Sequence, residues 1–334
     1  METKYISFDA PKTASLQTRQ LPALEEGKVL VKTEYTVVSG GTERAYLMGM
    51  NNTLGKFPMR IGYCGIGRVL QVGDRVTQVA PGDRVLVYHG GHSQYSLVDA
   101  NRLTKIENDN IPSLEAAFSI IASMGLGGVR KLEVELGESA MVMGLGLLGM
   151  FSVQFLRLSG AYPVIAADLN PDRRTLALQL GADYALDPSA PDFTETVMNL
   201  TGGKGINACV EVTGTSIAMN QALQCAARQG RISLLGCTRV SDCQVDYYQQ
   251  VHRPGVTLIG AHNMVRPKVE SYPHHWTHQD DCKAVLDLLH AGRIQVKPII
   301  SRIESPENAT VIYRELCDDP QFPLGTVFDW RNVE

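Results

Sequence analysis

The chain has 334 residues, of which 44% are hydrophobic and 20% are charged, and its formal net charge at pH 7 is −4. That length suggests about two domains, and the composition is ordinary for a globular protein. The slightly acidic balance gives no reason to expect a nucleic-acid partner. The sequence has no run of about 18 apolar residues and opens on METKYISFDAPK, which lacks the apolar core of a signal peptide, so we expect no membrane association.

The seven cysteines are scattered along the chain, and none belongs to a C-x-x-C pair. In a chain of this size that distribution is typical of a reduced protein rather than of a disulfide scaffold. We therefore expect a cytoplasmic location.

The first hundred residues contain short β-type runs bounded by glycine, proline and aspartate, for example 28–32, 67–72 and 83–88. These runs predict the strands of a compact β domain. From about residue 113 the pattern changes, and an apolar stretch at 116–130 predicts a helix.

Predicted strands and helices then alternate. The strands are 140–143, 164–167, 207–212, 232–235 and 256–259, and the helices are 147–158, 173–180 and 216–227. This alternation predicts an α/β fold with a parallel sheet covered by helices on both faces. After about residue 264 the chain returns to mixed structure, with an amphipathic helix near 281–290, a short strand and another helix.

A glycine-rich segment directly follows the predicted strand 140–143 and opens the next helix. Gly144 permits a tight turn, Gly146 lets the backbone approach a pyrophosphate, and Gly149 allows close packing of helix on strand. The amides of Leu147 and Leu148 lie at the positive end of the helix, where phosphates bind. In this context the G-x-G-x-x-G spacing predicts a dinucleotide-binding site.

Asp168 ends the next predicted strand, about 20 residues further on. A carboxylate there accepts a hydrogen bond from the ribose 2′-hydroxyl of NAD and repels the 2′-phosphate of NADP. Arg173 and Arg174 could soften that preference through contact with the cofactor, but we favour a role as solvated residues of the helix start. We therefore predict NAD(H) as the cofactor.

Several short motifs follow one another in an order that resembles the medium-chain dehydrogenase/reductase family over nearly the whole chain. They are Gly41-Thr42-Glu43, Val72-Gly73-Asp74, Pro81-Gly82-Asp83-Arg84-Val85, the glycine segment, Leu180-Gly181-Ala182-Asp183, Glu211-Val212-Thr213-Gly214 and Leu234-Leu235-Gly236.

The resemblance implies a GroES-like catalytic domain at 1–118, a Rossmann domain at 119–263 and a C-terminal return to the catalytic domain at 264–334. It places the active site in the cleft between the two domains and implies a homodimer or homotetramer. It also implies that Thr213, Gly236 and Cys237 contact the cofactor. His262 follows the last predicted strand at the sheet edge where the nicotinamide should lie.

Zinc-dependent members of this family carry a Cys-Gly-Thr/Ser-Asp motif, a Gly-His-Glu motif and a third ligand on a later helix. Here glycine takes the first ligand position, Tyr63 and Cys64 replace His-Glu, and the third position falls near Ile120. Zinc needs thiolate, imidazole or carboxylate donors. The segment 88–95 also bridges the stretch where the four-cysteine structural lobe would be. The chain therefore resembles a zinc-free branch that includes bacteriochlorophyllide-type hydroxyethyl dehydrogenases, and we expect no metal.

Hydride transfer from an alcohol develops alkoxide character, so without a metal a side chain must stabilise that charge or take the proton. By alignment we expect Thr42, Glu43 and Tyr63 to line the cleft. Thr42 matches the residue that begins a proton relay, and the Tyr63 phenol could point at the substrate oxygen. Glu43 is either a base or a support for another group.

Two histidines, His89 and His92, lie in the segment that replaces the zinc lobe. They could transfer protons from the cleft wall, make structural hydrogen bonds or, as the weakest option, bind a metal. Arg44 could anchor a polar substrate or face solvent.

The segment 272–278 holds three histidines and a tryptophan. His275 and Trp276 could form a polar and aromatic lip for a hydroxylated or sugar-like substrate. Alternatively, the segment is a capped helix start with Thr277 as N-cap.

Three functions fit these observations. The leading hypothesis is a zinc-independent, NAD-dependent dehydrogenase of a secondary alcohol such as a polyol, a sugar or a sugar derivative. A quinone or enoyl reductase is the first alternative, although such enzymes usually prefer NADPH and Asp168 argues against that cofactor. The second alternative is a non-catalytic NAD(H)-binding protein that senses redox state.

Overall fold

A computed structural model of the chain describes residues 1–333 and shows two compact units. Unit 1 contains Met1–Ile121 and the segment from Cys282 onward, and unit 2 contains Ala122–Asp281. The chain therefore returns to unit 1 at Cys282, and the predicted return at residue 264 comes 18 positions too early. The difference arises because Arg266 ties the intervening segment to unit 2, through an ion pair with Asp281 and a hydrogen bond to the carbonyl of Ser123.

Unit 1 is built on two β-sheets. The smaller has the order β2-β1-β4, and the larger has the order β15-β16-β3-β5-β6-β8, with β7 also paired to β3. Its strands are β1 (Glu2–Ala10), β2 (Thr13–Gln20), β3 (Lys28–Val37), β4 (Met59–Arg60), β5 (Cys64–Val72), β6 (Arg84–Tyr88), β7 (Tyr95–Asp99), β8 (Leu103–Lys105), β15 (Ile300–Glu304) and β16 (Gly325–Asp329).

Three α-helices belong wholly to unit 1. They are α1 (Gly40–Leu47), α2 (Ser113–Ala116) and α9 (Ala309–Asp318), with short 3-10 turns at Ala100–Arg102, Lys297–Ile299 and Pro306–Asn308. The apolar core of this unit contains Phe8 and Leu47 from the first chain segment and Tyr313, Phe328 and Trp330 from the second. Burial of these large side chains joins the two segments into one unit.

Unit 2 is a parallel six-stranded sheet in the order β11-β10-β9-β12-β13-β14. This is the doubly wound order of dinucleotide-binding sheets, with the switch point between β9 and β12. Its strands are β9 (Ala140–Met143), β10 (Val164–Ala167), β11 (Tyr184–Leu186), β12 (Ile206–Glu211), β13 (Ala226–Leu234) and β14 (Thr257–Gly260). The strands β9 and β10 are buried throughout, as expected of parallel strands covered on both faces.

The helices of unit 2 are α4 (Leu147–Leu158), α5 (Pro171–Gln179), α6 (Phe193–Leu200) and α7 (Ser216–Cys225), with short helical turns at Tyr247–His252 and Asn263–Val265. The chain passes between the units within α3 (Ser119–Arg130) and again within α8 (His278–His290). The prediction of one continuous helix at 116–130 is wrong, because α2 ends at Ala116 and α3 begins at Ser119. Within residues 1–333, no helix has the length and apolar character needed to cross a membrane.

Candidate active site

The glycine-rich loop of unit 2 lies between β9 and α4, and two of its glycines are required by packing. Gly144 has a φ of 97°, and a Cβ on Gly149 would lie 1.9 Å from the Gly144 carbonyl oxygen. A Cβ on Gly146 would meet nothing within 4 Å, so the backbone there faces open space. No side chain of the described residues caps α4, which leaves the first-turn amides of Leu147 and Leu148 to bind an anion.

Asp168 lies at the carboxyl end of β10, beside this loop. Its Oδ2 accepts a hydrogen bond from the Leu145 amide at 2.7 Å, and its Oδ1 accepts one from the Asn170 amide at 2.8 Å. The two backbone donors fix the carboxylate at the mouth of the glycine loop, where it can still accept from a ribose hydroxyl.

The two arginines that follow do not neutralise Asp168. Arg174 donates to the backbone oxygen of Asp168 at 2.7 Å and pairs with Asp187 at 3.2 Å. The amide of Arg173 is capped by the Asn170 side chain at the start of α5. Across residues 1–333, no basic side chain lies within 4.0 Å of the Asp168 carboxylate. The charge that would repel a 2′-phosphate is therefore uncompensated.

The loops after β12 and β13 nearly touch. A Cβ on Gly236 would lie 2.6 Å from the Gly214 amide nitrogen, so only glycine fits at that position. The Glu211 side chain, which was not among the predicted site residues, accepts hydrogen bonds from the amides of Thr213 (2.7 Å) and Gly214 (3.2 Å). Burial raises the pKa of Glu211, while these hydrogen bonds oppose the shift. The sequence signal that could have identified Glu211 is a glutamate at the end of a predicted strand, shortly before Thr213-Gly214.

The carboxyl edge of the sheet brings the predicted cofactor residues into one row. The glycine loop follows β9, Asp168 follows β10, Thr213 follows β12, Gly236 and the exposed Cys237 follow β13, and His262 follows β14. Because parallel strands end at the same edge, this row is the place where a dinucleotide binds in such folds. The open backbone at Gly146, the uncapped helix and Asp168 fit that cofactor.

In unit 1, a hydrogen-bonded pair lies at the predicted catalytic position. The hydroxyl oxygens of Ser39 and Tyr63 are 2.5 Å apart, and the Thr42 side chain also hydrogen-bonds to Tyr63. Burial raises the pKa of Tyr63 well above its ordinary value. The phenol is therefore neutral near pH 7 and can share its proton with Ser39 or with a bound oxygen.

Glu43 and His92 are fully buried, which corrects the expectation that they line an open cleft. The Glu43 carboxylate accepts from the Ser39 amide at 2.9 Å and from the Tyr313 hydroxyl at 2.6 Å, and the His92 Nε2 lies 3.2 Å from it. The other His92 nitrogen, Nδ1, lies 2.6 Å from the Thr36 hydroxyl. The two side chains therefore position Ser39 from inside the core and do not face solvent.

His89 and Arg44 have exposed side chains. The His89 ring lies 4.1 Å from the Tyr88 ring and 5.9 Å from the Tyr63 ring, between ring centroids. This partial desolvation, with a contribution from Arg102, lowers the pKa of His89. The Arg44 guanidinium donates to the Cys317 carbonyl oxygen at 3.1 Å, which fixes it against α9. The substrate role of Arg44 stays a prediction.

The histidine-rich segment forms the predicted helix cap. The Thr277 hydroxyl accepts a hydrogen bond from the Asp280 amide at 3.1 Å at the start of α8. Trp276 is 39% exposed and packs under the Arg130 guanidinium at 3.9 Å, and His275 stacks on Tyr272 at 4.6 Å. The segment thus has a capping role and also presents an aromatic face to solvent.

The residues at the inherited zinc positions do not fit zinc. Gly40 carries no donor, Ile120 is apolar and buried, and the Tyr63 hydroxyl is paired with Ser39. Cys64 is the one remaining donor at these positions, and a single ligand does not make a zinc site. In the described part of the chain, no group of three or more histidine, cysteine or acidic side chains is placed to hold a metal ion.

Comparison with known families agrees with the geometry of both units. Residues 25–108 match the alcohol dehydrogenase GroES-like domain, and residues 148–289 match the family described as zinc-binding dehydrogenase. The chain belongs to the medium-chain, zinc-type alcohol dehydrogenase-like family, whose members use NAD(P). It is an oxidoreductase that acts on CH–OH groups.

Among curated relatives, the L-threonine 3-dehydrogenase of Pyrococcus furiosus is 27% identical over 318 residues, which cover 86% of this chain and 87% of that enzyme. The D-guloside 3-dehydrogenase of Escherichia coli K12 is 26% identical over 281 residues, which cover 82% of this chain and 78% of that enzyme. Among solved structures, a putative zinc-binding dehydrogenase from Sinorhizobium meliloti 1021 bound to NADP superimposes with a TM-score of 0.83 at 21% identity, covering 98% of this chain and 99% of that one.

Proposed function

We propose that the protein is a zinc-independent, NAD(H)-dependent dehydrogenase that interconverts a secondary alcohol and its ketone. The observation that carries this proposal is the Ser39–Tyr63 hydroxyl pair, which takes the place of metal ligands with oxygens 2.5 Å apart. The residues at the zinc positions do not fit the metal, so the proton chemistry falls to side chains.

Bound NAD(H) supplies the hydride acceptor for the alcohol or the hydride donor for the ketone. In the oxidative direction, the alcohol proton passes to the Tyr63 oxygen, the Tyr63 proton passes to the Ser39 oxygen, and Ser39 releases its own hydroxyl proton to solvent, so one proton leaves for each hydride transferred. In the reductive direction, the neutral Tyr63 phenol donates its proton to the developing alkoxide. The buried Glu43 carboxylate accepts from the Ser39 amide and so holds the pair in this orientation.

Asp168 supports NAD(H) over NADP(H), because no basic side chain within 4.0 Å among residues 1–333 offsets its charge. For the substrate we propose a polyol, a sugar or a sugar derivative. The relatives named above include enzymes for L-threonine and D-guloside, which are both hydroxylated molecules. The exposed face of Trp276 supports the same class, since aromatic faces pack on carbon-rich sugar rings.

Metal analysis of the purified protein, combined with NADH and NADPH titrations, tests the proposal. We expect substoichiometric zinc and an affinity for NADH about tenfold or more above that for NADPH. Stoichiometric zinc would contradict the metal-free chemistry. A preference for NADPH would favour a quinone or enoyl reductase, and tight NADH binding without turnover of any polyol or sugar would favour a redox sensor.

A further inference from the structure

Unit 2 contains a hollow that shares His262 with the cofactor row and takes its other lining residues from elsewhere. Its walls come from the C-terminal end of α3, from the segment after β14 and from the histidine-rich segment. The polar and aromatic lining side chains that matter here are Arg130, Lys131, His262, Arg266, His275 and Trp276.

The hollow carries an excess of positive charge. Arg130 Nε and Arg266 Nη1 each lie 2.8 Å from one oxygen of Asp281, a carboxylate that is buried beneath them. The Lys131 ammonium has no acidic side chain within 4.0 Å in the described residues. With the adjacent Asp280 carboxylate, which acts electrostatically on Asp281, three cations face two carboxylates, so one positive charge is in excess. The Asp280 carboxylate accepts hydrogen bonds from the Ser271 and Thr277 hydroxyls, which are neutral and do not offset its charge.

The two arginines are held in place by the surrounding fold. A Cβ on Gly127 would lie 2.1 Å from Arg266 Nη2, so the guanidinium packs directly on the backbone of α3. Arg266 also donates to the Ser123 carbonyl, and Arg130 is held over the Trp276 ring at 3.9 Å. Fixed cations of this kind lose little entropy when an anion binds.

Other donors line the same hollow. The Nδ1 atom of the exposed His262 accepts a hydrogen bond from the Met264 amide at 3.2 Å, which leaves its Nε2–H to donate outward. His275 also lines the hollow, and its Nδ1 lies 3.2 Å from the Pro273 carbonyl oxygen. A ligand with several acceptor oxygens would satisfy Lys131 and His262 together.

The position of the hollow separates it from the phosphates of the cofactor. His262 follows β14, which is three strands from β9 and roughly 14 Å along the sheet at the usual spacing. Asp168, which faces the adenosine ribose in such folds, follows β10 on the other side of β9. An anion in the hollow therefore belongs to the nicotinamide half, where the substrate reacts.

We propose that this hollow binds a phosphate monoester, so that the substrate of the dehydrogenase is a phosphorylated polyol or sugar. A phosphate monoester carries about −1.5 to −2 charges at neutral pH and three acceptor oxygens, which suit the excess positive charge and the several donors that line the hollow. The exposed Trp276 face then packs against the carbon chain. This substrate assignment rests on the proposed function, but the phosphate site itself does not.

Tryptophan fluorescence of the full chain tests the site without any turnover. The sequence has two tryptophans, and Trp330 is fully buried in unit 1, so a ligand of the hollow reports through Trp276. Inorganic phosphate, sorbitol 6-phosphate and sorbitol are titrated at constant ionic strength, with chloride as the reference anion. We expect saturable changes with both phosphates, tighter binding of sorbitol 6-phosphate, and no change with sorbitol.

Two substitutions, one in the hollow and one as a control, are compared in the same titrations. Lys131→Ala should weaken both phosphates about tenfold, whereas Lys204→Ala, which removes an exposed lysine elsewhere in unit 2, should leave them unchanged. Equal responses to phosphate and chloride, or no effect of Lys131→Ala, would overturn the site. Sorbitol 6-phosphate binding no tighter than inorganic phosphate would overturn the assignment to a substrate. Tight binding of both phosphates by a protein that oxidises no alcohol would support the site and contradict only the dehydrogenase.

Discussion

The position and the protonation of the Tyr63 phenol are both set by its surroundings. Ser39 and Thr42 hydrogen-bond to its hydroxyl, and burial keeps that hydroxyl neutral by raising its pKa. Behind Ser39 stands Glu43, whose carboxylate also accepts from Tyr313. In the proposed mechanism, the hydroxyl of Tyr63 is therefore positioned in part by two buried groups behind Ser39, namely Glu43 and Tyr313.

Replacing Tyr63 by Phe tests its role directly. We expect kcat to fall roughly 100-fold or more, which is the usual contribution of a positioned acid or base, while NADH affinity stays the same. Steady-state kinetics and an NADH titration measure the two effects. Tyr162→Phe, which changes an exposed tyrosine of unit 2, is the control. Unchanged kcat in Tyr63→Phe would remove this residue from the mechanism.

Changing Asp168 to Asn tests cofactor selection. The amide oxygen can still accept from the Leu145 amide, but the charge that repels a 2′-phosphate is gone. We expect the ratio of kcat/KM with NADH to that with NADPH to fall about tenfold. Asp172→Asn removes a charge from the first turn of α5 and should leave the ratio intact. An unaltered ratio in Asp168→Asn would place the selection elsewhere.

Sequence reasoning could reach some of these residues and not others. Gly144, Gly149 and Asp168 follow from local spacing, because a strand, a tight turn and a helix fix their positions over some 25 residues. The burial of Glu43 and His92 could not be found this way. It depends on Tyr313, which lies 270 positions from Glu43 along the chain. Motif alignment places both residues near the site, but it carries no information on which side chains cover them.

At the scale of elements, the segment made of β9, the glycine loop and α4 has close backbone contact at Gly149 and open space at Gly146. The parallel sheet followed from the alternation of β-type and helical runs, since parallel strands need helical crossovers. The break between α2 and α3 could not be predicted from the sequence, because the residues around it are as apolar as the helices themselves.

A matched pair of glycine substitutions separates folding from binding in this loop. In Gly149→Ala the new Cβ would lie 1.9 Å from a backbone oxygen, so we expect a loss of about 1–3 kcal/mol of unfolding free energy. In Gly146→Ala the Cβ meets no protein atom, so stability should hold while NADH affinity falls about tenfold from crowding of the pyrophosphate. Denaturant unfolding and NADH titration measure both. Equal effects of the two substitutions would contradict the assigned roles.

At the scale of the whole molecule, the predicted cofactor residues lie in unit 2, whereas Tyr63 and its partners lie in unit 1. Hydrogen exchange with and without NADH can therefore follow the units separately. At 100 times its Kd, NADH should stabilise the structure to which it binds by about 2.7 kcal/mol. We expect the slowed amides to concentrate in β9, β10 and β12, with smaller changes in the sheets of unit 1. Greater slowing in unit 1 would contradict a cofactor site at the carboxyl edge of the unit 2 sheet.

The two-segment construction of unit 1 has a consequence for synthesis of the protein on the ribosome. The carboxyl half of β3 pairs with β16, and the Trp330 indole donates to Thr36, 294 positions earlier in the chain. All of unit 2 has therefore been synthesised before β16, and until then β3 lacks this neighbouring strand. During that interval the nascent chain carries an open strand edge beside apolar residues, and such edges recruit other chains. The hazard ends only when β16 has been synthesised and pairs with β3.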